Sequence, residues 1–583
     1  MYCIRTFLFV LLLSSCLTAT IINVPADSST IQGGINGASD GDTVLVQPDT
    51  YYENIIWPDV NGIKLISAGD SSNTVIDGGR IGSVVYMNPS DITITSATQI
   101  KGFKITNGGD VQNGGGMFIS SASPILSQIL VTGNTAEHYG GGIYISGQWP
   151  TLTDMTINNN TTTNFYSAGG GGIYISGGRP TLTNLTVSNN TSRSDGGGLC
   201  IWNSDAVLIG LTVTGNESIS EGGGLFIFYS SPILTNVTVS TNEATYSGGG
   251  LSIHSSNPTL TNVTITGNRA LYGDGGGGLY IYGSDPILTD VTVTGNRTIY
   301  CYGGGGLYIY GGDPILTDVT VTGNEAWFDG LGNGLYLRGS NPSLVGVTIT
   351  DHPGGNTYNY DALCALYIYS GNLSLTDVTV SRNIGAGLYF RSGSGTLNNV
   401  AITGNTNGIY NESGAITIAG SNIASNEIGL YNADSTTIVD ADSNWWGDSS
   451  GPYHPTTNPN GAGNLVSDYV DFQPWLTEVV PVLISSHDTE PNIFGLIQNY
   501  PNPFNLNTTI NFDIPLSTHV RIAIYDILGR QIIELTNQYL ESDYHQVVWD
   551  GKDILGQFVP SGIYIARMVT PGYTNSIKMV LMK

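Results

Sequence analysis

From about residue 115 the chain alternates apolar and polar positions in short runs, and the runs recur. One copy reads Gly248-Gly249-Gly250-Leu251-Ser252-Ile253, then Pro258 in a turn, then Leu260, Val263, Ile265 and Asn268. Alternation with period two over a few residues predicts strands, not helices. The closing asparagines stand at 134, 160, 190, 216, 242, 268, 296 and 324, and again at 383, 405 and 426. A unit this short cannot bury its apolar face alone. Stacking successive units as coils gives each strand a parallel partner and the whole a continuous core. The pattern therefore predicts a solenoid. At each closing turn an asparagine tolerates left-handed backbone and offers its amide to the next coil. Tripeptides such as Asn236-Val237-Thr238 match a glycosylation sequon, but the repeat explains them as a turn residue followed by strand residues.

These units resemble the right-handed parallel β-helix repeats of the pectin-lyase-like superfamily. Their Gly-Gly-Gly-[Ile/Leu] and Val-x-x-Asn pieces resemble repeats of polymorphic outer-membrane proteins. The opening, Thr30-Ile31-Gln32 through Gly41-Asp42-Thr43-Val44 to Tyr51-Tyr52-Glu53-Asn54, is similar to the N-terminal cap and first coil of such proteins. Asn444-Trp445-Trp446-Gly447 and Asp471-Phe472-Gln473-Pro474-Trp475 place aromatics where the last coil needs cover, since an open solenoid end exposes a strand edge. Beyond a linker the pattern changes to alternating runs at 510–514, 520–525, 547–549, 563–567 and 577–581, which suggest a small antiparallel sandwich. Its phrases Tyr525-Asp526-Ile527-Leu528-Gly529-Arg530, Trp549-Asp550-Gly551-Lys552-Asp553 and Ser561-Gly562-Ile563-Tyr564 closely resemble the type A C-terminal sorting domain of bacterial type IX secretion. The resemblance implies a translocation address, with the secretion machinery as partner. The expected architecture is all-β: a leader over 1–20, a right-handed parallel β-helix over 21–439, its cap over 440–478, a linker over 479–495, and an immunoglobulin-like sandwich over 496–583.

Composition narrows the function. Glycine contributes 79 of 583 residues, and charged residues only 11%, less than half the usual share of about 25%. Forty-five acids against 18 Lys and Arg leave a net charge of -27, which repels phosphate backbones and argues against nucleic-acid binding. Arg5 followed by an apolar run and small residues has the layout of a secretory leader. Leu13-Ser14-Ser15-Cys16 also resembles a lipobox, so either processing route remains open. No other run is long enough to span a bilayer. Beyond the leader only Cys200, Cys301 and Cys364 remain, without the spacing of a disulfide framework or a zinc site. The expected localisation is the cell surface or exterior of a bacterium.

Candidate chemistry comes from residues that stacking brings into columns. In the strand after each glycine run, Leu279 and Ile281 point inward, so their neighbours point outward. The first outward position carries Tyr280, Tyr308, Tyr336 and Tyr367. The second carries Trp202, Phe228, Tyr282, Tyr310 and Tyr369, with Arg338 and Arg391 among them. At about 4.8 Å per coil these predict a long exposed aromatic stripe on which a linear glycan could stack. Stacking that merely stabilises the sheet is the competing explanation.

Just after the asparagines, Glu243 should face Arg269 and Arg297 should face Glu325. Simple ion pairing accounts for them. The alternative is a polysaccharide lyase in which the arginines neutralise a uronate and Tyr272 or Tyr300 removes the adjacent proton, with Asp274, Trp327 and Asp329 nearby. Glu217 and Glu243 on adjacent coils are a further, glycosidase-like pair. His138 and His254 lie too many coils apart to share a metal, and His352 reads as isolated. Calcium is compatible with the acid excess, yet no Asp-rich loop has a recognisable ligand spacing. No cofactor is expected. A structural surface component without ligand is the third reading.

Overall fold

The computed structural model describes residues 19–165, 169–328, 330–353, 363–481, 494–496, 499, 504 and 507–582. The leader up to residue 18 with Cys16, the candidate Asp329, and most of the linker lie outside the described residues. A repeat of this kind makes one coil with four short strand runs. In one copy Ile143–Ser146 follows the glycines, Thr151–Thr153 and Thr156–Asn158 flank a bend, and Thr161–Thr162 follows Asn160. Every run pairs in parallel with its counterpart one coil away, as Ile143 with Ile173 and Ile145 with Ile175. The inward columns of Leu, Ile and Val, such as Leu251, Ile253, Leu260, Val263 and Ile265, are buried in one continuous core. The chain is thus a parallel β-helix, followed by a separate small unit.

The closing asparagines form a buried ladder. Asn242 donates its backbone N–H to Asn268 Oδ1 at 2.9 Å and its side-chain Nδ2 to the same atom at 3.0 Å. The same Nδ2 reaches Val213 O at 3.0 Å. The left-handed backbone expected at these asparagines occurs one residue earlier, at Asn159, Asn189, Thr241, Gly267 and Gly295. The ladder residue acts through its amide, and its neighbour makes the turn. Asn236, the sequon residue, has φ 55° and sits exposed at the mid-coil bend, as a turn residue should.

The glycine run has a steric cause. Gly248 adopts φ 69°, while a Cβ on Gly249 would lie 2.4 Å from Gly277 O and 2.5 Å from Arg269 O. Backbones of neighbouring coils approach too closely there for any side chain.

His352 is not isolated. It takes the ladder position between Asn324 and Asn383: Asn324 donates its N–H to His352 Nδ1 at 3.1 Å, and His352 N donates to Asn383 Oδ1 at 3.1 Å. Burial lowers its pKa to about 4. The unfolded chain takes up this proton near pH 6.5 and the folded chain only near 4, so stability contributed by neutral His352 is lost as pH falls between them. The loss amounts to about 3 kcal/mol. His352→Asn should remove it, and denaturant midpoints at pH 7 and pH 4 should show wild type losing more than the variant. An equal loss in both would exclude the ladder histidine as the acid-sensitive coil.

Both ends of the solenoid are covered. Near the N-terminus the sequence Ile31–Gly37 forms a short helix capped by Thr30, with Glu53 accepting the Ile31 and Gln32 amides at 2.8 and 2.9 Å. Ile31 and Ile35 are buried under it. At the other end Trp446 and Phe472 are buried, and Asn444 accepts the Ser421 amide at 2.9 Å.

The chain divides into Met1–Leu483 and Ile484–Lys583. The second unit has its own core around Phe512, Ile522, Trp549 and Met568. A four-stranded antiparallel sheet holds Thr518–Asp526, Gln531–Leu540, Gly562–Val569 and Thr574–Leu581. A smaller antiparallel sheet includes Thr508–Ile514 and Asp543–Trp549. The strand Gln531–Leu540 was not expected from the sequence, because its exposed half, Asn537-Gln538-Tyr539, breaks the apolar alternation.

Candidate functional site

The strands after the glycine runs place the two outward columns very differently. The first is buried: Tyr280, Tyr308, Tyr336 and Tyr367 are 0–5% exposed. This corrects the expectation that they line an open stripe. The segments that follow ladder Asn268 and Asn296, read as surface loops, fold over this column. Each becomes a seven-residue strand, Arg269–Gly275 and Arg297–Gly303. A Cβ on Gly275 or Gly303 would come within 3.3 Å of the Tyr308 ring or 2.7 Å of the Tyr336 ring. Tyr280 donates its hydroxyl to Asp274 Oδ2 at 2.8 Å. Burial first, then the Asp274 charge, raises its pKa and keeps it a donor. The rings stack coil on coil, Tyr308 with Tyr336 at 4.6 Å and Tyr336 with Tyr367 at 5.1 Å. This column is a second, outer core.

The second column is open. Tyr282 is 42% exposed, and Trp202, Phe228, His254, Tyr310, Arg338 and Tyr369 are half-buried. Trp202 meets Phe228 at 4.4 Å, His254 meets Tyr282 at 5.4 Å, and Tyr282 meets Tyr310 edge-on at 5.1 Å. The Arg338 guanidinium then lies 5.0 Å from the Tyr310 ring and 5.4 Å from Tyr369, and Arg391 lies 4.7 Å from Tyr369. Aromatic and cationic groups thus form one strip across eight coils.

Where the rings give way to Ser252 and His254, the strip carries a polar cluster that sequence reasoning missed. Glu221 Oε2 lies 2.5 Å from His254 Nε2 and accepts Ser252 Oγ at 2.9 Å. Asp195 accepts the Glu221 amide at 3.2 Å, and burial raises the Asp195 pKa. The signal available was the break in both ring columns at one coil. Ser252 and Glu221 meet the same imidazole nitrogen, so this is not a nucleophile–base–acid relay, which uses both.

The lyase candidates are brought together as expected but are already partnered. Arg269 pairs with Glu243, and Arg297 with Glu325 at 2.7 Å. Arg297 also covers the Trp327 ring at 4.3 Å. Tyr272 and Tyr300 stack at 5.6 Å, both about half exposed. Glu217 lies in register beside Glu243, whose carboxylate is held by Arg269. Among the described residues no His, Cys, Asp and Glu group is arranged to hold a metal. Cys200, Cys301 and Cys364 are free and buried.

In the small unit two turns share one sequence. Asp526-Ile527-Leu528-Gly529 and Asp553-Ile554-Leu555-Gly556 each close with the aspartate accepting two backbone amides at 2.9 Å and a left-handed glycine. Both hold Ile and Leu outward: Ile527, Leu528, Ile554 and Leu555 are 71–78% exposed. Ile527 and Leu528 line a cleft of about 840 Å³ with Phe558 and Ile563.

Among protein families, the right-handed beta helix region matches residues 52–218 and 197–362. The secretion system C-terminal sorting domain matches 498–582. Among solved structures the chain is similar to PorZ, an essential surface component of the type-IX secretion system of Porphyromonas gingivalis, at 24% identity and TM-score 0.12. That alignment covers 15% of this chain and spans only 12% of PorZ. It is also similar to the catalytic unit of a GH87 α-1,3-glucanase from Streptomyces thermodiastaticus, at 14% identity, 77% of this chain, 66% of that one and TM-score 0.23. A third is PfbA, a surface adhesin of Streptococcus pneumoniae, at 11% identity, 71% and 90% coverage and TM-score 0.17. No curated protein matches.

Proposed function

This chain belongs to the right-handed beta helix family and ends in a secretion-system sorting domain, and from that premise we propose that it is an exported module that binds glycans along the outer strip. The sorting domain directs the protein to the bacterial surface or beyond it. The observation that carries the binding half is the strip from Trp202 to Arg391, interrupted by the polar coil of Ser252 and His254 and partly open to solvent while the neighbouring tyrosine column is buried. Burial of the first column already supplies coil-to-coil stacking. A second aromatic column left facing water adds little to the core, whereas sugars stack their C–H faces on such rings and an exposed apolar strip marks a binding surface. Coils repeating at about 4.8 Å suit an extended polymer lying along the axis.

The lyase reading loses support because the arginines it needs, Arg269 and Arg297, are neutralised by Glu243 and Glu325. The test is incubation of the secreted chain with uronic-acid and neutral polysaccharides, following co-sedimentation, reducing ends and unsaturated-product absorbance. Retention without cleavage is expected. Tyr282→Ala with Tyr310→Ala should weaken it about tenfold or more, since each stacked ring contributes about 0.5–1.5 kcal/mol. Cleavage would favour an enzyme, and neither retention nor cleavage a purely structural role. We further assign the twin apolar turns of the sorting domain as the face gripped by the secretion machinery.

A further inference from the structure

We propose that the buried tyrosine column relays a one-electron oxidising equivalent along the solenoid axis, from a ring at the surface to a phenol held against a carboxylate. This is a redox function distinct from ligand binding on the open strip. The column is longer than its four most buried rings. Tyr280, Tyr308, Tyr336, Tyr367, Tyr389, Tyr410 and Tyr431 stand in register on seven successive coils. Each ring centroid lies 4.6–5.6 Å from the next. Stacking alone needs no hydroxyl. Phe118 and Phe226 fill the same outward position in earlier coils, and Phe226 is buried there. Burying a phenol is costlier than burying a phenyl ring unless its O–H is bonded, yet the five rings from Tyr280 to Tyr389 are 0–9% exposed. What a hydroxyl adds is a ring that yields one electron readily once its proton has somewhere to go.

Two rings of the column have such an acceptor. Tyr280 donates its hydroxyl to Asp274 Oδ2 at 2.8 Å, and Tyr389 donates to Glu412 Oε2 at 3.0 Å. Burial first, then the adjoining carboxylate, raises the pKa of both phenols, so each keeps its proton until an electron leaves. Loss of the electron makes the phenol a strong acid, and the carboxylate takes the proton. Between these two rings, Tyr308 and Tyr367 lie beside the guanidinium groups of Arg338 and Arg391, which have no acceptor to offer. The oxidising equivalent therefore passes through those rings and rests at Tyr389 and Tyr280. The column meets water at Tyr431, which is 39% exposed, and at the other end the ring series stops at Ser252, one coil before Tyr280. From Tyr431 to Tyr280 the path is about 29 Å, at 4.8 Å per coil.

A diffusible one-electron oxidant, such as a peroxidase product or an oxidised photosensitiser, takes an electron from Tyr431, whose phenol proton passes to water. The Tyr431 phenoxyl then takes an electron from Tyr389 through Tyr410 and recovers a proton from water, while the Tyr389 proton moves to Glu412. The Tyr389 phenoxyl in turn takes an electron from Tyr280 through Tyr367, Tyr336 and Tyr308 and regains its proton from Glu412. The Tyr280 proton moves to Asp274. The net change is one electron from Tyr280 to the oxidant and one proton from Tyr280 to Asp274, with no bond between heavy atoms made or broken. An external one-electron reductant restores the electron, and Asp274 returns the proton.

Ala433→Cys in the full secreted chain carries the test. Ala433 is exposed two residues beyond Tyr431, whereas Cys200, Cys301 and Cys364 are buried. A ruthenium tris-bipyridyl maleimide is attached at residue 433 and flashed with a cobalt(III) quencher. Phenoxyl rings are trapped with nitric oxide, which couples to a ring carbon, and are located by peptide mass mapping. Trapping is expected at Tyr389 and Tyr280. Tyr336→Phe keeps a stacked ring but removes a hop, so trapping at Tyr280 should be lost while trapping at Tyr389 stays. Tyr308→Phe is a second break, for use if Tyr336→Phe alters the melting curve. Asp274→Asn removes the proton acceptor and should also abolish trapping at Tyr280 alone. Unchanged trapping at Tyr280 in the phenylalanine variants, or trapping confined to Tyr431 before any substitution in the column, overturns the relay. Unchanged trapping in Asp274→Asn overturns the carboxylate as the resting point.

Discussion

Asn268→Leu should destabilise the solenoid by about 3 to 5 kcal/mol, although leucine is close to asparagine in volume. The variant leaves the Asn242 N–H, bonded to Asn268 Oδ1 at 2.9 Å, without an acceptor, and removes one of the two acceptors of Asn242 Nδ2, keeping only Val213 O. It also takes the Asn268 Nδ2 donor from Val239 O at 2.9 Å. Each buried polar group left unpaired costs about 1–3 kcal/mol. Water cannot compensate, since Asn242 and Asn268 are each 1% exposed. Asn236→Gly is the control: it keeps a residue suited to left-handed backbone at an exposed bend and should change stability by less than about 1 kcal/mol. Denaturant midpoints measure both. Because coils interact mainly with their neighbours, amide exchange at residue 242 should accelerate more than exchange near the helical cap. Wild-type melting of Asn268→Leu would mean that the ladder does not hold the coils.

Removal of 496–583 should leave the β-helix folded and abolish surface arrival. The tail has a core of its own, so its deletion takes no side chain from the solenoid core. The sharper form replaces Ile527, Leu528, Ile554 and Leu555 with serine. These side chains are more than 70% exposed, so each substitution should alter stability by about 0.5 kcal/mol or less. A partner that buries four such side chains would lose about 1.5–3 kcal/mol for each, which is enough to prevent recognition at cellular concentrations. Surface labelling and periplasmic fractionation read the outcome. Normal arrival of the deletion variant would refute the address, and normal arrival of the serine variant would refute the twin turns as its contact.

Much of this was legible in the chain itself. The recurring glycines, alternating strands and closing asparagines spell out a coil, because a periodic sequence has periodic burial needs and stacking is what meets them. The pairings Glu243 with Arg269 and Arg297 with Glu325 followed from equal register. Less visible was the division of labour within the asparagine turn, where the preceding residue takes the left-handed backbone. His352 escaped notice as a ladder member because an imidazole is chemically unlike an amide, although Nδ1 can accept the same bond.

The sequence by itself determined which residues share a column, since register along a repeat is arithmetic. Only the tertiary structure decided which column meets water. The segments that cover Tyr280, Tyr308 and Tyr336 carry no fixed motif. Their path depends on packing against neighbours above and below, a property of the stack that no single unit encodes.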